Sequence, residues 1–375
     1  MKLREVYIEN EKTLADSGNL VTELAVVDPV SEIQIRFAAK NGATYNKDSP
    51  PASCISKIEI VDGANVIYSL DGMLAQAMSY YQTGRVPSMQ RQAGPSKNQE
   101  DHIVIRFGRS LWDKVFALVP AKFRNLQIKI SWDLATFNTV GDTGYLTGSA
   151  KLSIIARLME GLEGAPAGYM MAKKHYDWTT AASGDERVPL PTDYPYVLFL
   201  LRAWEQHTKL YTTISNLKLS IDQDKDIPFD LASWDFLKMM ENHYGKFIID
   251  QNIFGGNEDN AHTWMAVGEN IGIVPEPTVA ASGVFSTHVN ILDLDGGKIN
   301  VRAVGTDHST TSPTVLHLLE RGQGLHHTFA YPFGLMDDPE SWLDAPSYGD
   351  IKAVITQGNA GADADLALLQ ARSYK

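Results

Sequence analysis

The sequence predicts an all-β chain in which one antiparallel sandwich is written twice. Three observations carry that expectation. Apolar residues alternate over short runs punctuated by Gly, Pro, Asn and Asp, as strands half-buried on a sheet face require. Each half holds one stretch with helical spacing, so there is no strand–helix–strand alternation of the kind that builds a parallel sheet. The segments of the first half also return, in the same order, in the second.

The repeat is plainest in "ISKIEIVDG" (55–63) and "ISNLKLSID" (214–222). Both place Ile-Ser before alternating apolar positions (Ile55, Ile58, Ile60; Ile214, Leu217, Leu219) and close on Asp62 or Asp222. After a turn-rich gap each continues into a short apolar segment and then a helical pattern. Leu74, Ala77, Met78 and Tyr81 fall at i, i+3, i+4 and i+7, and so do Phe236, Met239, Met240 and His243. Asp71 and Asp230 stand ahead of these helices as candidate N-terminal caps, and Gly84 and Gly245 follow them as candidate C-terminal caps.

Other segments pair in the same order. "DPVSEIQIRF" (28–37) has its counterpart in "DYPYVLFLLRA" (193–203). Phe107-Gly108, Pro120 and the alternation Leu126, Ile128, Ile130 match Phe333-Gly334, Pro346 and Ile351, Ala353, Ile355. "GSAKLSIIARL" (148–158) and "GADADLALLQARSY" (361–374) supply a last strand for each half. Spacing shows the difference. Gly84 and Phe107 are 23 positions apart, Gly245 and Phe333 are 88 apart, so the second half carries an insertion of 65 residues within 246–332. There "STHVNILDL" and "KINVRAV" read as a hairpin joined by "DGG" (295–297), while "GIVPEPTVAASG" and "DHSTTSPT" read as loops. The expected division is a first sandwich over 1–163, a Gly- and Pro-containing linker over 164–187, and a second sandwich over 188–375 with 246–332 inserted.

Composition narrows the function. The 375 residues suffice for two domains. A net charge of −12, with 33 Lys plus Arg against 45 Asp plus Glu, argues against a surface built to grip phosphate backbones. Cys54 is the only cysteine, so no internal disulfide forms, and its expected state is a small buried apolar residue. "MKLREVYIEN" has no apolar core of a signal peptide, and the longest apolar runs, such as "VLFLL" (197–201), fall far short of the roughly 20 residues of a membrane span. A soluble chain folded in a reducing compartment is expected.

No catalytic constellation emerges. Asp222, Asp224 and Asp226 imitate the start of a calcium loop, but Ile227 stands where Gly is needed and Ser233 where a bidentate Glu is needed. His326 and His327, adjacent on an extended chain, point to opposite faces and cannot easily share an ion, although Asp307, His308 and His317 lie nearby in sequence. "GQG" (322–324) lacks the strand-to-helix context of a dinucleotide loop, and neither a phosphate-binding Gly-Lys-Ser/Thr run nor a Gly-x-Ser-x-Gly elbow occurs. No catalytic, cofactor-binding or metal-binding residue is assigned.

With these segments in view, "ISNLKLSIDQDKDIPFDLASWDFLKMMENHYG" (214–245), "DAPSYGDIKAVITQGNAGADADLALLQARSY" (344–374) and their echoes in the first half resemble the double-jelly-roll major capsid proteins of tailless icosahedral viruses, the lineage of the adenovirus hexon. The resemblance rests on order and topology across nearly the whole chain. It implies two tandem eight-stranded antiparallel jelly rolls, each with a flanking helix, and an outward tower from 246–332. It further implies homotrimers that act as pseudo-hexameric tiles of a virion shell after synthesis in the host cytoplasm, without enzyme activity, cofactor or metal. The implied partners are further capsomers, minor capsid or vertex proteins and an internal virion membrane. Only about five residues precede "VYIEN" (6–10), so a long N-terminal anchoring arm is not expected. Two other readings fit a duplicated sandwich. One is a carbohydrate-binding or glycan-cleaving jelly roll that stacks sugars on Trp204, Trp234, Trp264 or Trp342. The other is a different virion component, such as a spike.

Overall fold

A computed structural model describes residues 1–374 apart from 43–49, 94–95, 136–143, 206–207, 255–260, 265–266, 278–287, 294–297 and 305–314. The first half contributes β1 (Lys2–Thr13), β2 (Ser17–Glu23), β3 (Val30–Lys40), β4 (Ile55–Asp62), β5 (Asn65–Leu70), α1 (Gly72–Thr83), β6 (Met89–Ala93), β7 (Asn98–Arg106), β8 (Leu126–Asp133) and β9 (Lys151–Glu160). The second half opens with β10 (Gly168–Thr179), β11 (Gly184–Leu190), β12 (Tyr196–Trp204), the single turn α2 (Leu210–Thr213), β13 (Ile214–Ile221), β14 (Asp230–Ala232) and α3 (Ser233–Tyr244). An elaboration follows: β15 (Phe247–Phe254), β16 (Ala261–Trp264), β17 (Val267–Pro277), β18 (His288–Asp293), β19 (Lys298–Val304) and β20 (Val315–Leu325). The chain closes with β21 (Thr328–Pro332), β22 (Ile351–Gln357) and β23 (Asp363–Ser373).

Strand order repeats. In the first half β1-β9-β3-β7 faces β2-β8-β4-β5; in the second β10-β23-β12-β21 faces β11-β22-β13-β14. Alternating residues fill the space between the facing sheets: Ile33, Ile35, Ile58, Ile60, Ile128 and Ile130 in one half, and Phe199, Leu201, Leu217, Leu219, Ala353 and Ile355 in the other, all at most 2% exposed.

The equivalence reaches single atoms. The Ser56 hydroxyl donates to Ser131 O on β8, and the Ser215 hydroxyl donates to Thr356 O on β22. Asp62 Oδ1 accepts from the backbone N–H groups of Arg124 and Asn125, and Asp222 Oδ1 accepts from those of Gly349 and Asp350. The Ile-Ser and closing Asp of the repeated signature thus fasten the same neighbouring strand twice. Val30 bridges Leu118 as Tyr196 bridges Leu343, and Phe107 N donates to Ser31 O as Phe333 N does to Val197 O. These pairs align the halves residue by residue.

Sequence and structure part in four places. Much of the span expected as a linker is sheet: β10 pairs with β23 from Gly168 to Thr179, and β11 pairs with β22. Gly168 marks a close approach, since a Cβ there would lie 2.3 Å from Arg372 O, and the apolar Tyr169–Ala172 run behind it is buried. Asp71 does cap α1, accepting from Leu74 N–H at 2.9 Å, whereas Asp230 lies in β14 and Ala232 occupies the position before α3. Residues 272–277 of the expected loop belong to β17. β21, inside the expected 246–332 insertion, pairs with β12 as a sandwich strand, so the extra segment ends before it. β18 and β19 pair antiparallel as the hairpin reading expects; the joining Gly296-Gly297, like Asp307 and His308, lies outside the described residues.

Candidate assembly site at the seam between the halves

The two sandwiches meet edge to edge along one sheet. β5 touches β10 through one parallel pair, Ser69 with Lys173, so a sheet of the first half runs on into a sheet of the second. α1 is trapped beside this junction, and eleven of its twelve residues are buried. Leu74, Ala77 and Met78 close its own sandwich. Its other side reaches the second half: the Tyr81 hydroxyl donates to Thr328 O at 3.0 Å and accepts from Leu325 N–H at 3.2 Å, and His326 Nε2–H donates to Gln76 Oε1 at 2.8 Å. Gln76 also donates to His102 O on β7, which makes it a bridge between halves. Further ties are Arg372 to Asn65 Oδ1 at 2.8 Å and the Tyr374 hydroxyl to Ala117 O at 2.8 Å.

A cleft of about 390 Å³ opens at this seam, lined by Asp71 and Met73 from the first half and Lys174, Arg202 and Asp365 from the second. Asp365 is locked between two cations, Lys174 at 3.0 Å and Arg202 at 3.1 Å. Burial raises the Asp71 pKa above the ordinary carboxylate range; Asp365 adds to the rise, while Arg202 and Lys174 oppose it. Asp365 and Arg202 are largely withdrawn from water while Asp71 and Lys174 are partly exposed to the cleft, so the Asp365–Arg202 pair is the one whose partner would be costly to leave alone. None was assigned from sequence. The available signal was Arg202, the one charged residue in the otherwise apolar strand "YVLFLLRAW".

The features weighed from sequence go separate ways. Asp222, Gln223 and Asp224 form a tight turn with φ of 48°, 60° and 68°; Asp222 is spent on Gly349 and Asp350, and Asp224 pairs with Lys218 at 2.8 Å. Among the described residues no three His, Cys, Asp or Glu side chains converge on a metal position. His326 and His327 are fully buried at a turn with φ of 53° and 58°, and burial holds both pKa values down, that of His327 to about 3. Cys54 is buried. Trp234 packs on Tyr211, Trp342 on Phe116, and Trp204 is half-buried on β12, so these three do not form one platform; the Trp264 side chain lies outside the described residues. No helix among the described residues is long and apolar enough to cross a membrane.

The sequence matches no family model and no curated protein. The structure does have counterparts. It is similar to the major capsid protein P2 from bacteriophage PM2 (12% identity, TM-score 0.55, covering 99% of this chain and 98% of that one). It is similar to a chain of Sulfolobus Turreted Icosahedral Virus (10%, 0.56, 100% and 91%) and to the PBCV-1 virus capsid (8%, 0.58, 99% and 93%). The chain therefore has the mostly β fold of these viral capsid proteins over essentially its full length.

Proposed function

We propose that the chain is a major capsid protein that self-assembles as pseudo-hexameric trimers tiling an icosahedral virion shell. The observation that carries this reading is the duplication. The same sandwich order occurs twice, with matching register, in a fold shared end to end with viral capsid proteins. The finer architecture we infer is two tandem eight-stranded jelly rolls, β1–β9 without β6 and β10–β14 with β21–β23, flanked by α1 and α3 and divided near residues 161–167. The β15–β20 segment between α3 and β21 supplies a tower. Three copies of a two-sandwich chain present six similar units, an approximation to sixfold symmetry from one gene product.

The role is structural, and the seam chemistry supports that. Of the carboxylates lining the seam cleft, Asp71 is engaged as a helix cap and Asp365 as the partner of two cations, both structural tasks. Minor capsid or vertex proteins and an internal membrane are the further partners of this reading, and the virion is its location. Size-exclusion chromatography with light scattering, joined to low-resolution images, tests it. A trimer with a six-lobed outline is expected; a monomer at every concentration, with glycan-hydrolysing activity, overturns it.

A further inference from the structure

α1 and α3 occupy equivalent places, but only α1 has both faces covered. α3 closes its own sandwich with Phe236, Leu237 and Met240, while its outer side leaves Trp234, Asp235, Asn242 and His243 exposed. The seat that α1 uses on the second half also has an open twin. Aligning Tyr196 with Val30 and Phe333 with Phe107 makes Leu200, Arg202, His326, Thr328 and Ala330 equivalent to Gln34, Arg36, Glu100, His102 and Val104 on the outer face of β3 and β7. One helix face and one sheet face are thus left over, and they are the two halves of a contact already made once inside the chain.

We propose that α3 of one chain docks on the outer face of β3 and β7 of a second copy, repeating between chains the contact that α1 makes within one. The proposal rests on the trimer reading and names its interface. The match is chemical as well as positional. The helical spacing that equates Leu74 with Phe236 equates Gln76 with Lys238 and Met73 with Asp235. Inside the chain, Gln76 bonds His326, and Met73 lines the cleft beside Arg202. Between chains the corresponding partners are Lys238 with Glu100 and Asp235 with Arg36, both pairs of opposite charge. Within one chain three of the four side chains serve other ends: Lys238 reaches Glu241, and Glu100 holds Arg36 as well as His102. A head-to-tail contact of this kind closes into a ring when its rotation allows, and charged pairs set its register.

Paired charge reversal in the full-length protein tests the contact. Lys238→Glu or Glu100→Lys alone is expected to raise the concentration at which trimers dissociate by about tenfold or more, with circular dichroism unchanged. The double variant restores the parental value. As a second measurement, Lys238→Cys combined with Glu100→Cys is expected to give a ladder of covalent oligomers on a denaturing gel under mild oxidation, with neither single variant doing so. A parent that stays monomeric overturns the trimer reading and this contact with it. A trimeric parent whose single reversals dissociate no more readily, and whose cysteine pair does not cross-link, overturns the contact alone.

Discussion

α1 and α3 begin at the same place in their respective halves, yet eleven of twelve residues are buried in one and four of twelve in the other. The sheet faces differ in the same sense. The face that receives α1 carries Leu198, Leu200, Ala330, Ala367 and Leu369, all at most 1% exposed. Its twin carries Glu32, Gln34, Arg36, His102 and Arg157, bound into ion pairs such as Arg106 with Glu32 at 2.8 Å and Arg157 with Glu5 at 2.8 Å. A seam that forms as the chain folds can be apolar, because it is never offered to solvent. A surface that must wait, folded, for another molecule stays polar, and larger apolar patches would invite wrong contacts. One fold repeated with two surface chemistries separates a permanent contact from a deferred one.

The largest expected effects test whether each helix plugs its own sandwich. Leu74→Ala in α1 and Phe236→Ala in α3, both at fully buried positions, are each expected to cost about 3 kcal/mol or more in urea unfolding. Trp234→Ala, on the outer side of α3 where the ring packs only on Tyr211 and under Lys238, is expected to cost no more than about 1.5 kcal/mol in the dissociated chain. Equal losses at Phe236 and Trp234 would break the distinction between the two faces of α3.

Arg202→Met comes next, at about 3 kcal/mol, because it strips one cation from buried Asp365 and from Asp71. Its twin Arg36→Met, on the open face, should cost less than about 1 kcal/mol in the dissociated chain. Similar values for the two would erase the contrast between covered and open seats.

The turn entering β21 gives a pH test. Burial depresses the His327 pKa from 6.5 to about 3, so the unfolded chain takes up a proton that the folded chain refuses. Stability is complete above pH 6.5 and falls as pH drops toward 3, by at most about 1.4 kcal/mol per pH unit for this group. His326, with its pKa also lowered, adds in the same direction, while Asp71 and Asp101, with raised values, pull the other way. His327→Asn, which cannot titrate and tolerates a positive φ, should flatten the acid limb of the urea midpoint against pH. A variant as steep as the parent would remove His327 from the account.

The smallest effects concern the helix starts. Asp71→Ala is expected to cost about 1 kcal/mol through the lost cap on Leu74 N–H, and Asp230→Ala less than about 0.5 kcal/mol. Thermal midpoints for the pair would sharpen the comparison, and a larger loss at Asp230 would reverse it.

Much of this architecture was legible because it rests on local rules. Alternation placed β3, β4, β8, β9, β12, β13, β22 and β23, and the Ile-Ser and Asp of the signature turned out to make the same hydrogen bonds in both halves. β10 was misread because Gly and Pro look alike in a linker and at a strand entry. What distinguishes Gly168 is Arg372 O at 2.3 Å from where its Cβ would be, an atom over 200 positions away in sequence. Asp230 has the composition of a cap but the backbone of a strand. The seam ion cluster escaped for a related reason: Asp71, Lys174, Arg202 and Asp365 are far apart in the chain, and only the lone charge in β12 hinted that a partner was waiting.

By itself the sequence determined that the chain is β throughout, that it folds one unit twice, and where the second unit is enlarged. All three follow from periods of two and 3.6 residues and from spacings counted along the chain. Tertiary structure alone decided what covers each sheet face. The unbroken apolar run of β12 and the polar alternation of β3 already separate a strand buried on both faces from one buried on a single face. That α1 is what lies on the former depends on how one sandwich packs against the other, through residues separated by most of the chain's length.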